Sequence, residues 1–415
     1  MESIFRDVVL NHLVKNKLIS KCQHGFIPNK SCVTNLLETL DFLSQSIHMK
    51  RAIDIIYLDF GKAFDKVPHK SLIYQLRCYG LNDQLIAWIQ AFLTNRRQRV
   101  VLGKTCSSWK EVISGVPQGS VLGPILFVIF INDLPDKIKN ICKMFADDTK
   151  VISLVDNESD PSTLQEDLNS LHEWSKQWLM DFNEEKCVVM HYGSNNQNYE
   201  YFLSSHKLIE SSQERDLGVV FSNDLKNSAH IAVATRKANY ALSIIKRSFK
   251  CRDKVTIKKL YTSLVRPHLE YAVQVWNPHL KKDTNSIEGV QRRATKIIGE
   301  LRNLKYEDRL LKLNLTTLEE RRVRGDLIEQ FKIVRKLDRV EWHHPLNKLS
   351  SHYGTRSHNF GFEKQLVRNC SQRINFFTNR IANVWNNLPK EVVEQETING
   401  SKNTLDNCFK KNKLI

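Results

Sequence analysis

The sequence predicts an α+β protein in two contrasting halves, the first mixing strands with helices and the second almost wholly helical. Three observations carry this. Residues 53–60, Ile-Asp-Ile-Ile-Tyr-Leu-Asp-Phe, are a short apolar run rich in β-branched and aromatic side chains, the pattern of a strand buried on both faces. Two more apolar runs flank Asp147-Asp148 and read as strand, two-residue turn, strand. From about 226 to 340 the pattern is helical, with Lys or Arg on many turns.

A chain of 415 residues with 41% hydrophobic content can hold two or three folded domains. Its net charge of +17 is unevenly spread: residues 1–225 hold 24 Lys and Arg against 27 Asp and Glu, or −3, whereas 226–415 hold 38 against 18, or +20. The second half therefore carries the attraction for a polyanion, unless it is simply a solvated basic surface. The longest unbroken apolar run, Ile125 to Ile131, is far too short to cross a bilayer, so the expectation is an intracellular protein with no membrane partner. Nine cysteines are scattered without a CxxC pair, as in a protein with reduced thiols.

In chain order, an amphipathic helix is expected over 3–19, with Ile4, Val8, Leu10, Leu13 and Leu18 apolar. The loop Gln23 to Ser31 leads to a second helix through Leu36, Leu37, Leu40 and Leu43. Lys30, near the start of that helix, is either a phosphate ligand or a solvated lysine. Asp59 ends the strand 53–60, as a cap for the segment at Gly61 or as a metal ligand. Helices follow near 71–79, ended by Gly80, and 83–94, capped by Asn82 or Asp83. A strand pair, 100–102 with 110–113, comes next, and Arg96, Arg97 and Arg99 at its base suit backbone phosphates or form an exposed turn. In the loop Ser114 to Pro124, three glycines permit close approach of a ligand, Gln118 offers an uncharged donor and acceptor, and Gly123-Pro124 opens an apolar helix. Leu164, Leu168, Leu171, Trp174 and Trp178 mark a helix over 162–180, followed by a turn at 183–186 and strands at 187–190 and 216–221. Residues 346–415 are polar and Asn-rich, interrupted by Phe376, Phe377, Trp385 and Phe409.

Asp147-Asp148 is a poor choice for a turn, since backbone comfort there favours Asn-Gly or Asp-Gly. Two adjacent carboxylates disfavour each other's ionisation unless a cation sits between them. Together with Asp59 they point to a two-metal phosphoryl-transfer site, which needs acids from separate strands around ions about 3.5–4 Å apart. Asp59 and Asp147 are the expected principal ligands, Asp148 a neighbour, and a backbone carbonyl near Phe60 completes the shell. Oxygen-only donors favour two Mg²⁺ ions, with Mn²⁺ as substitute.

Three stretches, Tyr57-Leu58-Asp59-Phe60-Gly61-Lys62-Ala63-Phe64-Asp65, Gly115-Val116-Pro117-Gln118-Gly119-Ser120-Val121-Leu122-Gly123-Pro124 and Phe145-Ala146-Asp147-Asp148, resemble motifs A, B and C of reverse transcriptases. The variants are similar to those of non-LTR retrotransposons (LINEs) of the jockey and CR1 type. The resemblance implies a palm-type polymerase core, an antiparallel sheet backed by helices with partial fingers, over 1–225. An all-helical thumb over 226–345 and a basic C-terminal extension over 346–415 would follow. By the same resemblance Asp59, Asp147 and Asp148 hold metal, Phe64 excludes a ribose 2′-hydroxyl, and Gln118 and Gly119 position nucleotide and template. Lys186 resembles the lysine proposed to protonate pyrophosphate, and Leu217-Gly218 the element that grips the primer. Ile27 stands where an arginine is common, with Lys30 a partial substitute toward the triphosphate. The implied activity is synthesis of DNA on an RNA template from a DNA primer with dNTPs. The alternatives are a nucleic-acid-binding remnant without catalysis and, further off, a Mg²⁺-dependent nuclease. Family members carry a fingers segment and usually an endonuclease ahead of the position of Met1, so a truncated copy is expected. Chromosomal DNA as target implies the nucleus.

Overall fold

The structure, a computed structural model, describes residues 1–349 and 358–410; residues 350–357 and 411–415 of the expected extension lie outside the described residues. It divides into two compact units, residues 1–35 with 51–212 and residues 36–50 with 213–415. The expected boundaries at 225 and 345 are not those of the structure.

The first unit is built on a five-stranded sheet of β1 (Ile53–Leu58), β2 (Ile141–Phe145), β3 (Asp148–Leu154), β4 (Val188–Tyr192) and β5 (Ile209–Glu210) in the spatial order β5-β4-β1-β3-β2. Every pairing is antiparallel except β5 on β4. β1 lies in the middle, and all of its residues but Tyr57 are buried, as its sequence predicts. Around the sheet are α1 (Glu2–Lys15), the first turn of α2 (Cys32–His48), α3 (Ala63–Lys66), α4 (His69–Cys78), α5 (Asp83–Leu93), α6 (Gly123–Phe130) and α7 (Ser159–Trp178). Helix α6 is apolar all round and buried except at Pro124, so it forms the centre of the core, with Leu164, Leu168, Leu171 and Trp174 of α7 in the same cluster. Asn82 is the cap of α5, its side chain accepting from the Gln84 amide at 2.8 Å.

Three details of strand pairing depart from expectation. Phe145 pairs with Asp148, so the turn residues are Ala146 and Asp147, and Asp148 opens β3. This register keeps Met144 and Val151 buried, and a one-residue slip would turn each to the other face. The strand pair 100–102 with 110–113 is instead two small ladders, Arg97–Gln98 with Lys110–Glu111 and Val101–Leu102 with Thr105–Cys106. Gly103, at φ 60°, lets the chain reverse early. The strand 216–221 is a hairpin, Gln213–Asp216 with Val219–Ser222, and Leu217-Gly218 is its turn. Both turn residues have positive φ, 44° and 87°, a conformation glycine supplies at low cost.

The second unit is mainly helical. Its long helices are α8 (Ser228–Ser248), α9 (Lys281–Thr295), α10 (Leu318–Val334), α11 (Phe377–Asn386) and α12 (Ile398–Lys410). Helix α10 packs against α9, α11 and α12, so the helices at 377–386 and 398–410 are part of this unit and not an appendage. Phe376, Phe377 and Trp385 supply the apolar anchors. Asp41, from α2, and Arg373 form an ion pair at 2.6 Å, each about 1% exposed. Arg309 and Arg322 are also buried, so part of the positive excess of this half is internal.

Candidate active site

The ladder of β1 ends at Leu58, which leaves Asp59 just beyond the last paired residue. Residues 181–187 run alongside it. Asn183 N donates to the Asp59 carbonyl at 2.7 Å, Gly61 N donates to the Asp181 carbonyl at 3.0 Å, and Phe60 stacks on Phe182 with centroids 4.5 Å apart. Burial pushes the Cys187 thiol up to about 11, and this protonated group also faces the Asp59 carbonyl, at 3.9 Å. The alignment sets Lys186 Nζ 3.3 Å from Asp59 Oδ2. Phe60 itself is buried, with Phe182 and Trp174 against its ring, so its side chain belongs to the core, which corrects its expected place against a substrate.

Asp147 sits in the turn between β2 and β3, after Ala146 in the left-handed conformation at φ 53°. Two residues that the sequence reading passed over as loop fix this turn. Gln23, 2% exposed, accepts through Oε1 from Ala146 N at 2.9 Å and from Gly25 N at 2.7 Å. A Cβ on Gly25 would meet Ala146 N at 2.5 Å, so only glycine allows this approach. Segment 22–25 borders β2, with Met144 N donating to the Cys22 carbonyl and His24 N to the Met144 carbonyl, both at 2.9 Å. The Asp147 carboxyl is held above the ordinary aspartate range, first by burial and then by the charge of Asp59. Asp148 is exposed and opens β3, one residue before Thr149, the partner of Leu58.

The expected three-acid cluster is not gathered: among the described residues no three His, Cys, Asp or Glu side chains form a metal cage. Uncompensated carboxylates repel, and Mg²⁺ is commonly held by one or two carboxylates with substrate phosphates and water completing its shell. The pair fits such an ion in its donor chemistry. Asp59 Oδ2 is enclosed and accepts no hydrogen bond among the described residues, Lys186 standing close without hydrogen-bond geometry.

The glycine-rich loop is fastened to α3. Ser114 Oγ donates to the Asp65 carbonyl, Gly115 N to that of Val67 and Val116 N to that of Phe64, each at 2.8 Å. A Cβ on Gly115, at φ 87°, would meet the Phe64 and Asp65 carbonyls at 2.7 Å. Arg96 donates to the carbonyls of Leu93 and Gly115, at 3.0 and 3.1 Å, and burial lowers its pKa. It braces this loop, which corrects its expected place in an exposed cationic turn. Arg97 pairs with Glu111 at 3.7 Å, and Arg99 lies over Trp109 at 4.6 Å. Gln118 and Gly119 are exposed, and the space a Cβ on Gly119 would enter is open. Phe64 stacks on Phe127 with centroids 4.6 Å apart. Lys30 Nζ lies 3.3 Å from His24 Nε2, and His24 Nδ1 lies 2.8 Å from Thr34 Oγ1. Leu217 and Gly218 belong to the second unit, where the Tyr271 hydroxyl donates to the Leu217 carbonyl at 2.9 Å.

An antiparallel sheet with one aspartate at the end of its central strand and another in the turn that leads into the neighbouring strand is the arrangement of a nucleotide polymerase palm. The family model for reverse transcriptase (RNA-dependent DNA polymerase) matches residues 3–221, more than half of the chain, and the chain belongs to that family. Within it the chain groups with the non-LTR, LINE-type reverse transcriptases of mobile elements. It is 27% identical over 313 residues to the RNA-directed DNA polymerase from mobile element jockey of Drosophila melanogaster, covering 71% of this chain and 34% of that protein. It is 26% identical over 357 residues to the probable RNA-directed DNA polymerase from transposon BS of the same species, covering 80% and 38%. The chain thus spans about a third of the length of these relatives. Apo telomerase from Candida tropicalis matches 75% of this chain and 52% of its own at 14% identity with a TM-score of 0.43, too slight a likeness to carry an argument.

Proposed function

We propose that this chain is the polymerase portion of a non-LTR retrotransposon reverse transcriptase, extending the 3′-hydroxyl of a DNA primer along an RNA template with dNTPs. The observation that carries the reading is the placing of Asp59 at the end of β1 and of Asp147 in the turn into β3, the strand paired with β1, with Lys186 beside Asp59. In this reading Asp59 and Asp147 hold Mg²⁺ or Mn²⁺, with Asp148 adjacent. The bound ions would activate the primer hydroxyl and offset the charge on the departing pyrophosphate. Lys186 keeps a proton near that leaving group. Gln118 and Gly119 leave an open floor for nucleotide and template, with Lys30 toward the triphosphate. Phe64, braced on Phe127, bars a 2′-hydroxyl.

The finer assignments belong to the same proposal. The first unit supplies palm and partial fingers, with Arg97 and Arg99 toward the template backbone. The helices after 226 act as thumb, and the Leu217-Gly218 turn as primer grip. The family resemblance implies a fingers and endonuclease segment upstream in a longer protein, and chromosomal DNA as target implies work in the nucleus. Primer extension on an RNA template with Mg²⁺ tests the reading: templated incorporation is expected, falling about 10²–10³-fold or more in Asp147→Asn. Template binding without incorporation by the unaltered chain would leave the remnant in its place.

A further inference from the structure

We propose that a groove of the first unit, lined by α4, the end of α5 and residues 113–114, binds a single strand of nucleic acid outside the Asp59–Asp147 site. The groove encloses about 930 Å³. Lys70, Tyr74 and Arg77 line it from one face of α4 at spacings of four and three residues, while Leu72 and Leu76 on the other side are buried in the core. Lys66 also lines it, but it shares Asp181 with Lys176 at 3.4 and 3.5 Å, so the charge of the groove rests mainly on Lys70 and Arg77. No Asp or Glu lines the groove among the described residues. Such a lining is out of keeping with residues 1–225, whose net charge is −3.

The groove also exposes apolar surface. Tyr74 is 63% exposed, and Ile113 and Leu179, at 84% and 67%, stand on its walls. Cations beside exposed aromatic and apolar faces suit unpaired nucleotides, whose phosphates take the charges while the bases stack. A duplex would offer phosphates without base faces, and an acidic peptide would leave the Tyr74 ring without a stacking partner. The inner end is set by His69, whose Nε2 lies 2.9 Å from the Gly115 carbonyl, and by Ser114, bonded to Asp65. A strand in the groove therefore leads to the glycine-rich loop. On the polymerase reading, on which the choice of strand rests, this is the unpaired stretch of the template.

Fluorescence anisotropy of the full chain, without metal or dNTP, tests this with single-stranded RNA, single-stranded DNA of the same sequence and a blunt RNA–DNA duplex. Tyr74→Ala is expected to weaken single-strand binding about tenfold, Tyr74→Phe to retain it, and duplex binding to stay unchanged. Lys70→Gln with Arg77→Gln is expected to lower the salt dependence of single-strand binding by about 1.4 log units per decade, two phosphates' worth. A loss confined to RNA identifies template, and one confined to DNA an unpaired target strand; either supports the groove. Unchanged single-strand affinity, an equal loss for duplex, or displacement of RNA by polyglutamate at matched charge overturns it. Because no extension is needed, a chain that fails to extend primers yet shows these losses refutes the polymerase reading alone, and an extending chain without them refutes the groove alone.

Discussion

Gln23 offers the sharpest perturbation, because it holds the Asp147 turn without touching the chemistry. Its Oε1 accepts from the amides of Gly25 and Ala146, while its own Nε2 has no partner among the described residues. Gln23→Met keeps the length of the side chain and removes the acceptor, together with the unpartnered Nε2. Two buried amides would then be stranded, at about 1–3 kcal/mol each, offset by about 1–3 kcal/mol from the loss of the unpartnered Nε2, a net cost on the order of 2 kcal/mol. The two-unit chain need not unfold in one step, so the local readout is hydrogen exchange of a peptide spanning 141–150. At 1.36 kcal/mol per decade, exchange should speed up by at least about tenfold. A turn displaced by about 1 Å should slow single-turnover incorporation about 10²-fold. Exchange and incorporation both within twofold of the unaltered chain would refute the role of Gln23.

Gly25→Ala attacks the same turn sterically, its Cβ meeting Ala146 N at 2.5 Å, and should lower incorporation while template binding measured by anisotropy persists. Arg373→Met strands the buried Asp41 carboxylate and should cost the second unit about 3–5 kcal/mol in urea unfolding; a cost below about 1 kcal/mol would contradict a structural role for that pair. Phe64→Val should admit ribonucleotides in a competition assay, and unchanged sugar selectivity would count against Phe64 as the barrier. The raised pKa of Asp147 has a pH consequence of definite sign. The fold favours its protonated form, so that contribution is present at low pH and lost as pH rises through the folded-state pKa. In EDTA, Asp147→Asn should therefore melt higher than the unaltered chain at pH 7 and show a smaller advantage at pH 4; a lower melting temperature at pH 7 would contradict the charge argument.

What the sequence discloses here is local. The buried strand at 53–58, the Asn82 cap and the Pro-led helix at 123 each depend on residues within a few positions of one another, and each stands where it was expected. Register is less visible, because it depends on which apolar residues must be buried across a pairing. The acid turn is consequently displaced by one residue, with Asp148 in β3. Gly218 carried the signal of a hairpin turn, but the apolar run Val219-Val220-Phe221 masked it as the end of one strand. Gln23 was beyond reach because its partner, Ala146, lies 123 residues away and nothing near either position marks the bond. Arg373 and Asp41, 332 residues apart, show the same limit in the second unit, and buried arginines there mean that a charge count overstates the basic surface.

Divalent-metal affinity gives the most direct measurement. Mn²⁺ bound to the chain in the presence of template, primer and dNTP can be counted by electron paramagnetic resonance. Asp59→Asn and Asp147→Asn should each weaken that binding, and the double variant should lose little more than either one, as expected of ligands to a shared site. Mn²⁺ affinity unchanged in both single variants would show that these carboxylates do not hold the ions, and the account of the site would fail.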